Sequence, residues 1–99
     1  MKLLSVLAVG LMLAGPLAAQ DLNKGFAAAI AGDYATALQE FRPLAEQGDA
    51  SAQYNLGVMY YNGEGVPQDK AEAVRWYRLA ADQGDAKAQA ILGIMYDNG

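Results

Sequence analysis

Apolar positions recur every three to four residues in five stretches of this chain, and glycine, aspartate or asparagine punctuates the gaps. That spacing is the signature of amphipathic helices. Leu22, Phe26, Ala29 and Ile30 mark a helix over 21–31. Ala37, Leu38, Phe41, Leu44 and Ala45 form the stripe of a second, over 34–47. A third, over 50–61, carries Ala52, Leu56, Met59 and Tyr60. A fourth, over 70–83, presents Ala73, Val74, Trp76, Tyr77, Ala80 and Ala81, and a fifth runs over 85–96. Asp33, Asp49, Asp69 and Asp85 stand where an N-cap carboxylate would accept orphan backbone N–H groups. Asp69 and Glu72 together read as a capping box. Gly48 supplies a helix stop and Gly84 repeats it, glycine taking the left-handed conformation without steric cost. Between the third and fourth helices NGEGVPQ (62–68) is rich in turn residues. Gly63 and Gly65 are placed there for positive φ. Pro43, inside the second helix, predicts a bend near Gln39–Glu40 or an early end to regular geometry.

The pattern is periodic on a longer scale. GDASAQYNLGVMYYNG at 48–63 returns as GDAKAQAILGIMYDNG at 84–99, an offset of 36 residues with 11 of 16 positions identical. The second half of the unit repeats too. Ala35, Ala37, Arg42, Ala45 and Gln47 match Ala71, Ala73, Arg78, Ala81 and Gln83 at the same offset, and Phe41 aligns with Tyr77. A fixed period in this range marks a solenoid of stacked supersecondary units. Gly57 and Gly93 both fall mid-helix, where glycine costs about 0.5–1 kcal/mol relative to alanine. A cost repeated at one register predicts close approach of a neighbouring helix.

The first twenty residues change the picture. Met1 and Lys2 precede an apolar run over 3–13, and small residues with Pro16 follow. This is the layout of a secretory signal peptide, with cleavage expected after Ala19. The run is too short for a membrane anchor, which needs roughly 20 apolar residues. The product is expected to be periplasmic or secreted, with no stable membrane insertion once the leader is removed. Loss of Lys2 would leave 6 Lys+Arg against 11 Asp+Glu, a net charge of −5. Such a chain has no basic footprint for nucleic acid.

Composition narrows the chemistry further. The chain has no Cys and no His. Disulfides, thiol catalysis and the usual zinc sets are therefore excluded. The serines are Ser5 and Ser51 and the only threonine is Thr36, and none stands in a nucleophile or phosphate-loop motif. No catalytic residue, metal or cofactor is expected. Asn62-Gly63-Glu64-Gly65 lacks the ligand spacing of a calcium loop. Tyr60, Trp76, Tyr77 and Tyr96 recur at core spacing and are expected between helices.

The residues carrying the period resemble the Sel1-like repeat, a relative of the tetratricopeptide repeat. The resemblance rests on Ala50, Ala52, Gln53, Leu56, Gly57, Met59, Tyr60, Gly63, Gly65, Val66 and Asp69. Ala73, Trp76, Ala80, Ala81, Gln83 and Gly84 continue it. It covers 48–99, while 25–47 is closer to a plain tetratricopeptide-like hairpin. The resemblance implies an all-α helical-hairpin solenoid, a right-handed superhelix of about two and a half repeats. It divides the chain into a leader (1–19), a degenerate first hairpin (20–47), a complete repeat (48–83) and the first helix of an incomplete one (84–99). It also implies an adaptor that binds another protein or peptide rather than an enzyme. A cysteine-rich secreted branch of the family is linked to β-lactam binding and hydrolysis, and a purely structural role in an envelope assembly is a further alternative.

Positions that differ between the copies need not serve the shared stacking. Ser51/Lys87, Tyr54/Ala90, Asn55/Ile91, Val58/Ile94 and Tyr61/Asp97 vary over a constant framework. Tyr54, Asn55, Tyr61 and Lys87 are the candidate partner contacts, on the concave face the resemblance implies. The last helix has no successor within the sequence. Ile91, Leu92, Ile94, Met95 and Tyr96 are thus expected to lack cover, and to offer a self-association face if the chain truly ends at Gly99.

Overall fold

Five helices follow one another in the computed structural model, which describes residues 21–97. They are α1 (Leu22–Ile30), α2 (Tyr34–Glu46), α3 (Ala50–Asn62), α4 (Lys70–Asp82) and α5 (Ala86–Asp97). There is no strand among the described residues. Each helix packs on its successor, so the architecture is an all-α stack of helical hairpins. The leader expected at 1–19 lies outside the described residues, as do Asn98 and Gly99.

Local chemistry sets the helix boundaries. Oδ1 of Asp49 accepts from the Ala52 N–H at 2.8 Å, and Oδ1 of Asp85 does the same for Ala88 at 2.8 Å. Asp33 caps through Thr36 N–H at 3.3 Å and Asp69 through Glu72 N–H at 3.0 Å. Asp21, not singled out from sequence, caps α1 through Asn23 N–H. Each cap satisfies an orphan donor and is worth about 1 kcal/mol. Gly48 and Gly84 turn the chain between helices with φ of 103° and 92°, where a side chain would be strained.

Two local expectations are met only in part. α2 does not end early at Pro43; it stays helical to Glu46, with Phe41 and Ala45 buried on either side of the proline. Burial of about 25 cal/mol per Å² of apolar surface on those neighbours offsets the lost hydrogen bond. The capping box forms only by half. Glu72 does not reach back to Asp69, whose N–H donates to Tyr60 O at 2.9 Å. The Glu72 carboxylate turns instead to Trp76 Nε1 at 3.1 Å and to Arg75.

The main core lies where α1, α2 and α3 meet. Ala37, Phe41 and Ala45 of α2 face Ala52, Leu56 and Met59 of α3, and Trp76 of α4 closes the cluster. Phe26 meets the Phe41 ring edge-on, with centroids 5.5 Å apart. A second, smaller cluster is built on Ala73, Tyr77 and Leu92 where α4 meets α3 and α5. The mid-helix glycines serve these clusters directly. A Cβ on Gly57 would stand 2.6 Å from the Tyr77 ring, and one on Gly25 would stand 2.7 Å from the Phe41 ring. Phe41 and Tyr77 are the aligned pair of the 36-residue period, so one ring-on-glycine contact is made twice. At Gly93 the expectation fails: a Cβ there would meet nothing within 4 Å.

Candidate interaction surface

Residues that recur with the period knit the units together. Gln53 Nε2 donates to Ala45 O at 3.1 Å, and 36 residues later Gln89 Nε2 donates to Ala81 O at 3.1 Å. Arg42 donates to the Tyr60 hydroxyl at 3.2 Å, and Arg78 to the Tyr96 hydroxyl at 3.0 and 2.9 Å. Gln83 reaches back to Gln53 Oε1 at 2.9 Å and to Gly48 O at 2.8 Å. These side chains are spent on the scaffold.

The varying positions have different surroundings. Tyr54, Val58 and Tyr61 recur at four and three residues along α3 and so share one of its faces. All three are half-buried against the second cluster. The Tyr54 ring lies 5.7 Å from the Tyr77 ring. Lys87, from the first turn of α5, places Nζ 5.9 Å from the Tyr54 centroid. Lys70, from the first turn of α4, places Nζ 5.3 Å from the Tyr61 centroid. The structure therefore brings Tyr54, Tyr61 and Lys87 to one surface and adds Lys70 and Val58. Lys70 carried no sequence signal, being a single lysine at a helix start. Asn55 is turned away from this stripe by one residue, or about 100°. Its Nδ2 donates to Ser51 O of its own helix at 2.7 Å.

Electrostatics around the surface follow from burial and from one acid. Burial pushes the Tyr77 hydroxyl up to about 12. The Glu64 carboxylate, carried by the α3–α4 connector, raises Tyr34 by its charge and by a hydrogen bond. Backbone at Gly65 lies against Tyr34 as well; a Cβ there would stand 3.0 Å from the Tyr34 Cβ.

Two expectations about α5 are corrected. Tyr96 is not a core residue: it is 59% exposed and lies beside the Arg78 guanidinium, 5.9 Å from the ring. Leu92 is not uncovered: it is 8% exposed, packed in the second cluster, with Ile91 and Met95 half-buried around it. Of the five residues named for self-association, Ile94 and Tyr96 stand in solvent, because α4 already covers the opposite side of α5.

Among the described residues no group of three acids gathers at metal-binding distance, and no helix is long and apolar enough to cross a membrane. The surface offers aromatic and aliphatic area edged by cations, which suits non-covalent recognition.

Comparison with known proteins adds the following. The Sel1 repeat profile matches residues 50–85 and 86–99. The crystal structure of a Sel1 repeat protein from Oxalobacter formigenes is similar, with a TM-score of 0.60 and 46% identity. The alignment covers 62% of this chain and 25% of that one, so the matched part spans about a quarter of that protein's length. No curated protein matches the chain.

Proposed function

The chain belongs to the Sel1 repeat family, whose members generally mediate protein–protein interaction and are typically not enzymes, and on that premise we propose that it is an exported interaction module. Its partner is a protein or peptide. The contact surface is the face of α3 carrying Tyr54, Val58 and Tyr61, with Lys87 of α5 at its edge. The observation that carries this reading is the division of labour between copies. Gln53/Gln89, Arg42/Arg78 and Tyr60/Tyr96 repeat and bond across units, while Tyr54, Val58, Tyr61 and Lys87 change and leave ring and ammonium groups at the surface. Half-buried aromatics are held at little further entropic cost on binding, as a hot spot requires.

Export rests on the leader pattern at 1–19, and places the module in the periplasm or outside the cell. Intact mass measured on a periplasmic extract should give a chain beginning near Gln20; a product retaining Met1 refutes export. The binding surface is tested with a photo-crosslinking amino acid placed at Val58, or at Leu79 on α4, in the producing cell. A discrete adduct from Val58 and none from Leu79 supports the reading. Adducts from Leu79 alone move the interface to the other side of the stack.

A further inference from the structure

Four of the five positions that vary between the copies fall at one register of their helices. They are Ser51, Tyr54, Val58 and Tyr61 on α3, and Lys87, Ala90, Ile94 and Asp97 on α5. Steps of three, four and three residues put each set in one stripe, the spacing of a coiled-coil seam. On α3 the stripe is half-buried, with Tyr54, Val58 and Tyr61 packed against the cluster that α4 and α5 help to build. On α5 all four residues are exposed, Ile94 to 56%. Ala86 and Gly93 flank the stripe and are exposed as well. The buried residues of α5, Ala88 and Leu92, lie on the other side of the helix.

The charges of this stripe stand at the wrong ends of their own helix. Lys87 is in the first turn of α5 and Asp97 is its last residue, whereas the macrodipole favours the reverse. Neither makes an ion pair among the described residues. Asp85, the acid nearest Lys87 in sequence, holds the Ala88 N–H at 2.8 Å. The Tyr54 ring, 5.9 Å from Lys87 Nζ, is at the outer limit of a cation–π contact. An antiparallel copy of the same helix corrects both ends. With a two-fold axis midway between Lys87 and Asp97, each lysine stands opposite the aspartate of the other copy. Each charge then also lies beside the end of the facing dipole that favours it. The same register sets Ala90 opposite Ile94 twice, a small residue against a large one, and the small flanks Ala86 and Gly93 let the axes approach. Parallel pairing instead puts lysine on lysine and aspartate on aspartate. Sliding the antiparallel pair by one heptad sets Lys87 against Ala90, or Ile94 against Asp97.

We propose that the exposed stripe of α5 is an isologous interface, covered by α5 of a second copy running antiparallel, with Lys87 paired to Asp97 and Ala90 to Ile94 across the two-fold axis. Only Lys87 is shared with the contact surface proposed above, so Ala90 and Ile94 carry the decisive variants. The seam is one helix of 12 residues, about 18 Å long, at the small end of specific interfaces. Sedimentation equilibrium on the chain from Gln20 to Gly99 should therefore show a reversible dimer, half-dissociated at roughly 10–100 µM. Ile94→Glu should weaken it at least about tenfold, since it buries an unpaired charge against Ala90. Leu79→Glu, the same change at an exposed apolar site on α4, should leave it unaltered. Lys87→Glu and Asp97→Lys should each weaken it about fivefold to tenfold. An equimolar mixture of those two variants should dimerise again, because each chain supplies the charge that the other lacks. The sequence has no cysteine, so introduced thiols report the register directly. Ala90→Cys mixed with Ile94→Cys in oxidised glutathione should give a disulfide-linked heterodimer, and Ala90→Cys alone should give little.

A monomer up to about 1 mM overturns the interface, as does a dimer indifferent to Ile94→Glu. Ala90→Cys linking to itself as readily as to Ile94→Cys overturns the antiparallel register. Failure of the mixed charge variants to dimerise, where the unmodified chain does, overturns the Lys87–Asp97 pairing.

Discussion

Helices α3 and α5 share a motif but not an environment. Both read A-x-A-Q-x-x-L-G-x-M-Y, yet Gly57 lies under the Tyr77 ring while Gly93 faces no atom within 4 Å. Leu56 is sealed and Leu92 nearly so, because one side of each helix packs against the helix before it. Their other sides differ: α3 has α4 over its glycine, and nothing among the described residues covers α5 there. The same residue type therefore does opposite things in the two copies. At position 57 glycine creates room for a ring; at position 93 it only lowers helix propensity.

Alanine substitution should break this symmetry most clearly. Gly57→Ala drives a methyl into Tyr77 and should cost about 1–3 kcal/mol, as overpacking does. Gly93→Ala should instead stabilise by about 0.5–1 kcal/mol through helix propensity. Thermal melts of both variants check the sign. A partner that covered α5 as α4 covers α3 would reverse the outcome at Gly93, so repeating the melt with a bound partner sharpens the comparison.

The glutamines give a smaller contrast. Gln53 is 4% exposed and bonded on both sides, to Ala45 O and to Gln83. Gln53→Ala should cost about 1–1.5 kcal/mol, the net worth of a buried hydrogen bond, since Ala45 O keeps the Gly48 N–H and Gln83 keeps Gly48 O. Gln89 makes the equivalent bond to Ala81 O in solvent, and Gln89→Ala should stay within about 0.5 kcal/mol. Equal losses in urea titrations would mean that the exposed copy carries as much as the buried one.

Titration separates the covered ring from the uncovered register. The Tyr77 hydroxyl is raised from 10.0 to about 12 by burial. Folding therefore favours its protonated form, a stabilising term fully present below pH 10 and lost as pH rises through about 12. Tyr77→Phe should leave stability near neutral pH little changed and flatten the decline between pH 10 and 12. An unchanged alkaline profile would contradict the burial of that hydroxyl. At the acid end, the hydrogen bond from Arg75 is the largest cause holding Glu72 below its usual value of 4.5. The sign is opposite: this contribution is present above about pH 4.5 and fades as pH falls through the lowered value. Glu72→Gln should give the smallest change in the set, a shallower loss of stability below pH 4.5, read by acid titration of the circular dichroism signal.

Much of the candidate surface could be read before any fold was known. Tyr54, Tyr61 and Lys87 were picked out because they vary over a constant framework, and the fold brings them to one side. Asn55 varies too, but one residue along a helix rotates a side chain by about 100°, and its amide found its own backbone. Lys70 was missed because its meaning lies in the ring beneath it, contributed by a helix nine residues back. Tyr96 was misplaced because its period predicts a core position, and only the neighbouring helices decide whether a core is there to enter.

What the sequence determined by itself is what local chemistry determines. Helix periodicity, aspartate caps and glycine stops act over a few residues and need no partner, so five helices and their joints followed from the residues in order. The 36-residue period added the stacking, since equal faces must pack equally. Tertiary structure alone decided the rest. It kept α2 running through Pro43 and sent Glu72 to Trp76 rather than to its own cap. It set a ring on Gly57 and none on Gly93, and it placed Lys70 and Lys87 over tyrosine rings, with no ion pair to either among the described residues. Each of those outcomes depends on what a separate helix brings to the same place, and burial and charge pairing are properties of that encounter rather than of either sequence segment.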